Sequence, residues 1–397
     1  MSGHHAVLIR DHKEARQFIE EVGADSKAPA YLEPKAVFRC IKLKNIPCIA
    51  ANLIKQEMLS KGGEAAVKRE TLFAQGHTDV LLMGTIKHYR LLIKKLKLQP
   101  FGLKKLAEEL QVILDNLEPK TAAMTLANGK NLELGSQTLI MGILNVTPDS
   151  FSDGGQYYSV DAALKRAMEM VDEGADIIDI GGASSRPNAD IAGESQELER
   201  ILPVVKALAK EDVIISVDTF RGRVAKASLE AGAHLINDIG RLKLDNSLLP
   251  VLVEHQAPVI LMHNRMQLRA GEPYEDLIAD IIIELQESIT EALEAGLERD
   301  KIIIDPGVGF GKTVEENRII IKRLWEFKSM GYPILLGHSR KSFIGKTLNL
   351  EVDDRLEGSL AVAAMGIMNG ADILRVHDVQ ASKRIALMTD AVVRENG

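Results

Sequence analysis

Aromatic side chains make up only 4% of this 397-residue chain, and cysteine occurs just twice. Cys40 and Cys48 form no Cys-x-x-Cys pair with a histidine partner, which argues against a zinc site or a disulfide and for buried thiols. No uninterrupted apolar run approaches the ~20 residues a membrane-spanning helix needs, so no membrane partner is expected. Met1 to Arg10 lacks a basic flank followed by an apolar core, so no signal peptide is expected and the natural compartment is cytoplasmic. Residues 1–130 hold 21 Lys+Arg against 14 Asp+Glu, the remainder 28 against 42. That basic excess is modest and aromatic interleaving is sparse, so no nucleic-acid partner is expected. The rest is ordinary for a soluble globular protein, with 46% hydrophobic and 26% charged residues. The length favours two or three domains.

The first 118 residues read as a small accessory α/β domain. Short apolar runs at Val7–Ile9, Ala36–Leu43 and Val80–Met83 suggest strands; Ile49–Leu59 and Leu103–Leu117 have helical spacing. Gly62-Gly63 and Gly76 read as turns and match no phosphate-binding loop. Lys94, Lys95, Lys97, Lys104 and Lys105 read as a solvated basic face. Nothing in this stretch states a role. Residues 119–135, with Pro119 and Gly129, read as a linker leading into a second domain, 136–397.

From Thr138 onward, apolar β-rich runs alternate with amphipathic segments eight times. The runs fall at 138–144, 176–180, 213–217, 234–239, 258–262, 302–304, 333–336 and 372–376. The segments between and after them lie near 160–174, 195–210, 221–232, 246–256, 275–296, 314–330, 355–370 and 379–394. Eight βα units over such a length predict a (β/α)8 TIM barrel rather than a doubly wound sheet, which usually has fewer strands.

Each run ends in polar residues. They are Asn145; Asp179 with Gly181-Gly182; Asp218-Thr219; Asn237-Asp238; Met262-His263-Asn264; Asp305-Pro306-Gly307; Gly337-His338-Ser339-Arg340-Lys341; and Arg375-Val376-His377-Asp378. Singly, such residues often cap the next helix. As a ring at one rim they point to an active site, because buried charges are expensive unless paired. Asp218, Asn237, Asp305 and Lys341 together can grip the edge of a flat heterocycle. Arg375 and His377, next to Asn145 once a barrel closes, suit phosphate, and the Asn145 oxygen can help hold Mg²⁺. His263 reads as a structural rim residue. A lysine at the seventh strand also admits Schiff-base aldolase chemistry.

The run Met141-Gly142-Ile143-Leu144-Asn145-Val146-Thr147-Pro148-Asp149-Ser150-Phe151-Ser152-Asp153-Gly154-Gly155 resembles the signature of the dihydropteroate synthases, a likeness that extends over about residues 136–397. The resemblance implies coupling of 6-hydroxymethyl-7,8-dihydropterin diphosphate with p-aminobenzoate, using Mg²⁺, in a homodimer open to sulfonamides. It implies that Asp218, Asn237, Asp305, Lys341 and Arg375 bind the pterin. Asn145, Ser185, Arg375 and His377 would take the diphosphate, Asn145 also the metal. Phe151, Ser185, Arg186, Pro187, Phe310 and Ser339 would form the p-aminobenzoate pocket. Catalysis would then rest on Asp218, Asp305, Lys341 and Asn145. One departure stands out: Gly181-Gly182-Ala183-Ser184-Ser185-Arg186-Pro187 has alanine where the family usually has glutamate. That leaves room for a non-catalytic pterin-binding homologue. A methyltetrahydrofolate:corrinoid methyltransferase is the other alternative, but would lack the Asn145–Gly155 loop and the Ser339-Arg340-Lys341 motif.

Overall fold

The structure is a computed structural model that describes residues 2–127, 129–146, 160–182, 193–266 and 268–394. The chain divides into two compact units, Met1–Pro119 and Lys120–Gly397. Among the described residues, no helix is long and apolar enough to cross a membrane.

The first unit runs α1 (His12–Glu21), α2 (Ala28–Ala36), β1 (Phe38–Pro47), α3 (Cys48–Ser60), β2 (Glu64–Val67), β3 (His77–Thr85), α4 (Ile86–Leu96) and α5 (Leu103–Asn116). Its sheet is antiparallel in the order β1-β3-β2. Alternate residues Ile41, Leu43, Val80 and Leu82 turn inward and join one core with Ile54, Met58, Tyr89 and Leu110. The same alternation turns Cys40 outward, so only Cys48 is a buried thiol, contrary to the sequence expectation for both. Val7–Ile9 is not a strand: three apolar residues without a pairing partner leave Val7 and Leu8 exposed. The lysines of the 94–105 cluster are all exposed.

The second unit starts with a hairpin, β4 (Ala122–Thr125) and β5 (Asn131–Leu134), inside the stretch expected to be a linker. Eight parallel strands follow: β6 (Leu139–Asn145), β7 (Ile177–Gly181), β8 (Ile214–Asp218), β9 (Leu235–Asp238), β10 (Val259–Met262), β11 (Ile302–Asp305), β12 (Leu335–Leu336) and β13 (Ile373–Val376). Their order is β11-β10-β9-β8-β7-β6-β13-β12. A parallel bridge from Ile304 to Ile334 joins the two ends, and the Ile304 N–H donates to the Pro333 carbonyl at 2.9 Å. The sheet is therefore a closed (β/α)8 barrel, which leaves no exposed strand edge.

Helices follow the strands: α6 (Val160–Asp172), α7 (Glu194–Leu208), α8 (Gly222–Glu230), α9 (Leu248–His255), α10 (Leu277–Glu294), α11 (Val314–Lys322), α13 (Leu356–Met368) and α14 (Val379–Val393). Two details depart from the sequence expectation. The helix expected to 330 ends at Lys322 and continues as a 3-10 turn, Leu324–Met330; and a short helix, α12 (Ser342–Leu348), intervenes after β12.

Alternation along the strands organises the barrel. Outward residues such as Ile140, Leu144, Ile178 and Ile215 pack under the helices. Inward residues low in the barrel, Leu139, Ile177, Leu235, Ile260, Ile303 and Ile373, form a separate apolar cluster. Met124, Leu126, Leu132 and Leu134 of the hairpin join that cluster, so the hairpin seals the barrel floor. Inward residues nearer the strands' C-terminal ends are mostly polar, with Ile143 and Met262 among them as apolar exceptions. That is where the candidate site lies.

Candidate active site

Register sets the polar layer. Asn145, Gly181, Asp218 and Asn237 stand side by side on four neighbouring strands, and Arg375 on β13 lies two inward steps below Asn145, opposite Met141. Asp179, two residues before Gly181, therefore points into the same interior.

Arg375 is the hub. Its Nε donates to Asp179 Oδ2 at 2.6 Å and one terminal nitrogen to Asp218 Oδ2 at 2.7 Å. The Asp179 oxygen also accepts from Asn237 Nδ2 at 3.0 Å, which turns the Asn237 carbonyl away from Asp179. Asp179 is fully buried, Asp218 and Asn237 nearly so. Burial opposes the Arg375 charge, but Asp179 and Asp218 outweigh it and hold the guanidinium above its ordinary value. Burial pushes the Asp218 carboxyl up against the pull of Arg375. Asp179 Oδ1 and Ser216 Oγ, facing each other across the β7–β8 register, are buried without a hydrogen-bond partner. Two positions in this layer are glycine. A Cβ on Gly181 would sit 3.5 Å from Asn145 Oδ1 and 3.8 Å from Asp218 Cβ; one on Gly337 would sit 3.7 Å from Asp305 Oδ2 and 3.9 Å from Arg375 Cβ. Without a Cβ at either position, bare backbone lies between the polar groups.

A second group surrounds the turn after β11. Asp305 Oδ1 accepts from the Gly307 N–H at 2.7 Å. Lys341 donates to the Val308 carbonyl, and its ammonium lies 4.5 Å from the centre of the Phe310 ring. Burial lowers Lys341 to about 8 and raises Asp305, each opposed by the other's charge. Ser339 Oγ meets His377 twice, at 3.2 Å to its N–H and 3.0 Å to Nδ1, tying the rims of β12 and β13 together.

Other rim residues are structural. His263 Nε2 lies 3.1 Å from Glu284 Oε2, and burial lowers the imidazole to about 3, so it is neutral. Asp238 points outward and accepts the Gly240 and Leu242 N–H groups, both at 2.6 Å. Arg340 forks onto Asp378 at 2.9 and 2.5 Å.

Of the residues expected to form the site, Asn237 and Arg375 are joined through Asp179, Asp218 is bonded directly to Arg375, and Asp305, Lys341 and Phe310 gather round one turn. Asn145, Ser339 and His377 stand at the same rim. Phe151, Ala183, Ser184, Ser185, Arg186 and Pro187 lie outside the described residues. Two residues had been given no role: Asp179, visible only as a strand-end carboxylate, and Lys312, whose signal was its place after Gly307-Val308-Gly309-Phe310-Gly311. For Mg²⁺ the donors are few. Among the described residues no three His, Cys, Asp or Glu converge, and Asn145 contributes one amide oxygen. Such a site fits Mg²⁺ that keeps its waters and arrives with substrate phosphates.

Residues 141–377 match the family described as pterin binding enzyme. A dihydropteroate synthase of Clostridium beijerinckii is 48% identical over 267 residues, 67% of this chain and 98% of that protein. A probable bifunctional folylpolyglutamate synthase/dihydropteroate synthase of Haloferax volcanii is 37% identical over 389 residues, 94% of this chain but only 46% of that protein. The crystal structure of a Clostridium difficile dihydropteroate synthase, determined with pteroic acid, superposes with a TM-score of 0.64 at 46% identity, covering 66% of this chain and 99% of that one.

Proposed function

This chain belongs to the dihydropteroate synthases of the pterin-binding enzyme family, and from that premise we propose that it couples 6-hydroxymethyl-7,8-dihydropterin diphosphate to p-aminobenzoate, releasing 7,8-dihydropteroate and pyrophosphate. The observation that carries the reading is the buried layer in which Arg375 is shared between Asp179 and Asp218 beside Asn237, Asp305 and Lys341.

In this reading the pterin ring lies flat beside the bare backbone of Gly181 and Gly337. Asp218 and Asp305 accept its amino and ring N–H groups, Asn237 offers its carbonyl, and Lys341 donates to the opposite edge. Two of the three Arg375 nitrogens are engaged by carboxylates, leaving the third and the flat guanidinium face for the substrate. His377 and Asn145 take the diphosphate at the rim, and Asn145 would offer its side-chain oxygen to Mg²⁺ there. When bound, the metal neutralises the diphosphate and makes it a better leaving group. The CH₂–O bond breaks with its electron pair on pyrophosphate, and the resulting cation is stabilised by the ring and by Asp218 and Asp305. The aniline lone pair then forms the C–N bond, and its surplus proton leaves to solvent. Orientation supplies much of the rate, a role for Phe310 and Ser339 and for the loops that carry Phe151 and Ser185, Arg186 and Pro187.

The decisive experiment measures product from the pterin diphosphate, p-aminobenzoate and Mg²⁺. Competitive inhibition by a sulfonamide is expected, as is a loss of about 100-fold or more in Asp305→Asn. Pterin binding without turnover would defeat the reading and favour a non-catalytic homologue. We place the enzyme in the cytoplasm, in keeping with two free thiols. We also propose a homodimer through α13 and α14, which pack together and expose Met365, Met368, Leu387, Met388 and Val392. A monomer in sedimentation velocity would refute it. Residues 1–118 we assign as an accessory domain.

A further inference from the structure

The turn between β11 and α11 is built on three left-handed glycines, Gly307, Gly309 and Gly311, with φ of +68°, +88° and +66°. A side chain is excluded at the first two. A Cβ on Gly307 would fall 1.8 Å from the His263 carbonyl oxygen, and one on Gly309 2.7 Å from Lys341 Cδ. Such a backbone turns its carbonyls to alternate sides, and two lysines collect them. Lys341 takes the Val308 carbonyl. Lys312 takes the Gly307 carbonyl at 2.8 Å and the Phe310 carbonyl at 3.0 Å, and reaches His263 Nδ1 at 3.0 Å and the His263 carbonyl at 3.4 Å.

The hydrogen-bond directions are mutually consistent. Lys312 is a pure donor. His263 is neutral, so Nδ1 can accept from Lys312 only if Nε2 carries the proton and donates to Glu284. Glu284 in turn accepts from Arg265 at 2.6 Å. Lys312 thus anchors the turn to the β10 loop and, through it, to α10. Its partners among the described residues are carbonyls and an imidazole, with no carboxylate in an ion pair. A charge enclosed without a bonded counter-ion is an expensive way to fill space.

We propose that Lys312 is a positioning residue for pterin binding, its ammonium holding the 307–311 turn so that the Val308 carbonyl and the Phe310 ring fix Lys341 beside Asp305. The inference rests on the assignment of Asp305 and Lys341 to the pterin. The ammonium is the working form, since a neutral amine cannot serve three acceptors as well. Burial brings Lys312 down to about 7, opposed by Asp305 at the end of β11 and reinforced by Lys341 at the head of α12; Glu316 on α11 and Glu284 on α10 oppose it further. Pterin affinity therefore falls as pH rises through the Lys312 titration.

The test is calorimetric binding of the pterin diphosphate, without p-aminobenzoate, to the wild-type chain and to Lys312→Met across neutral pH, with melting temperatures recorded. The expected result is an affinity about ten- to a hundredfold weaker in the variant, with the wild-type fall around neutrality gone. Lys312→Gln serves in the same way if the methionine variant does not fold. A folded variant that melts lower but keeps wild-type affinity and pH profile would overturn the proposal, leaving Lys312 a purely structural lysine. If the wild-type chain binds no pterin, the functional reading falls first and this inference with it.

Discussion

At its lower end the barrel interior carries Leu139, Ile177, Leu235 and Ile373, closed off by Met124 and Leu132 of the hairpin. One or two inward steps up the same strands stand Asp179, Asp218, Asn237 and Arg375. Backbone geometry hardly changes between the two levels; only the side chains do. The lower layer gains from every apolar group removed from water. The upper layer buries two carboxylates against one guanidinium, an arrangement that costs desolvation and is kept for its chemistry. Stability is concentrated below, specificity above, and the strands connect them.

Substitutions at each level separate the two contributions. The largest effect is expected from Arg375→Met, which strands Asp179 and Asp218 without a counter-charge at a cost of about 3–5 kcal/mol. Burial already holds the Asp218 carboxyl above its ordinary value against the pull of Arg375, and without the guanidinium it titrates higher still in the fold than in the unfolded chain. The folded state then retains protons that the unfolded state releases, so the deficit grows as pH rises. Urea melts on the acid and alkaline sides of neutrality read this directly, and an equal deficit at both would contradict it. At the opposite end, Leu132→Ala should cost about 2–5 kcal/mol while leaving kcat and KM unchanged. A shifted KM there would mean the floor and the site are coupled.

A subtler expectation concerns the network behind the rim. Burial opposes the Glu284 charge, but bonds from His263 and Arg265 and the charge of Arg241 outweigh it and pull the carboxyl down to about 2. A depressed carboxyl adds stability above its unfolded value of 4.5, and that stability is lost as pH falls toward 2. The loss is ~3 kcal/mol at most, and Glu284→Gln should flatten this part of the acid-unfolding curve.

The strands were legible in the sequence because each is an apolar, β-rich run bounded by a polar break, and all eight fall within two residues of the expected positions. The polar ends were legible for the same reason. The hairpin was not: its strands are four residues long, with a lysine, a glycine and two asparagines at or near the turn. Its one available signal was the alternation of Met124 with Leu126 and Leu132 with Leu134, too short to separate from a linker. In the first unit α1, α2, α4 and the four-residue strand β2 went unread. α1 is mostly polar, α2 holds two prolines, and α4 follows a strand directly without a breaking residue. The division of labour among carboxylates was also hidden. Asp179 and Asp238 look alike as strand-end acids, yet alternation sends one into the barrel and the other outward to cap a loop. For Lys312 the glycine-rich run before it was the only signal, since its partners are backbone carbonyls and the His263 imidazole, which no charge pattern announces.

The hairpin floor has a kinetic consequence. A barrel stoppered at one end is a well with a single mouth, and whatever occupies its depth must enter before, and leave after, whatever sits nearer the rim. A ligand held by Asp218 and Asp305 would be trapped beneath one held by Phe310 and Ser339. Initial-rate patterns would then be ordered rather than random, and a rim-binding inhibitor would slow the escape of the deeper ligand instead of displacing it.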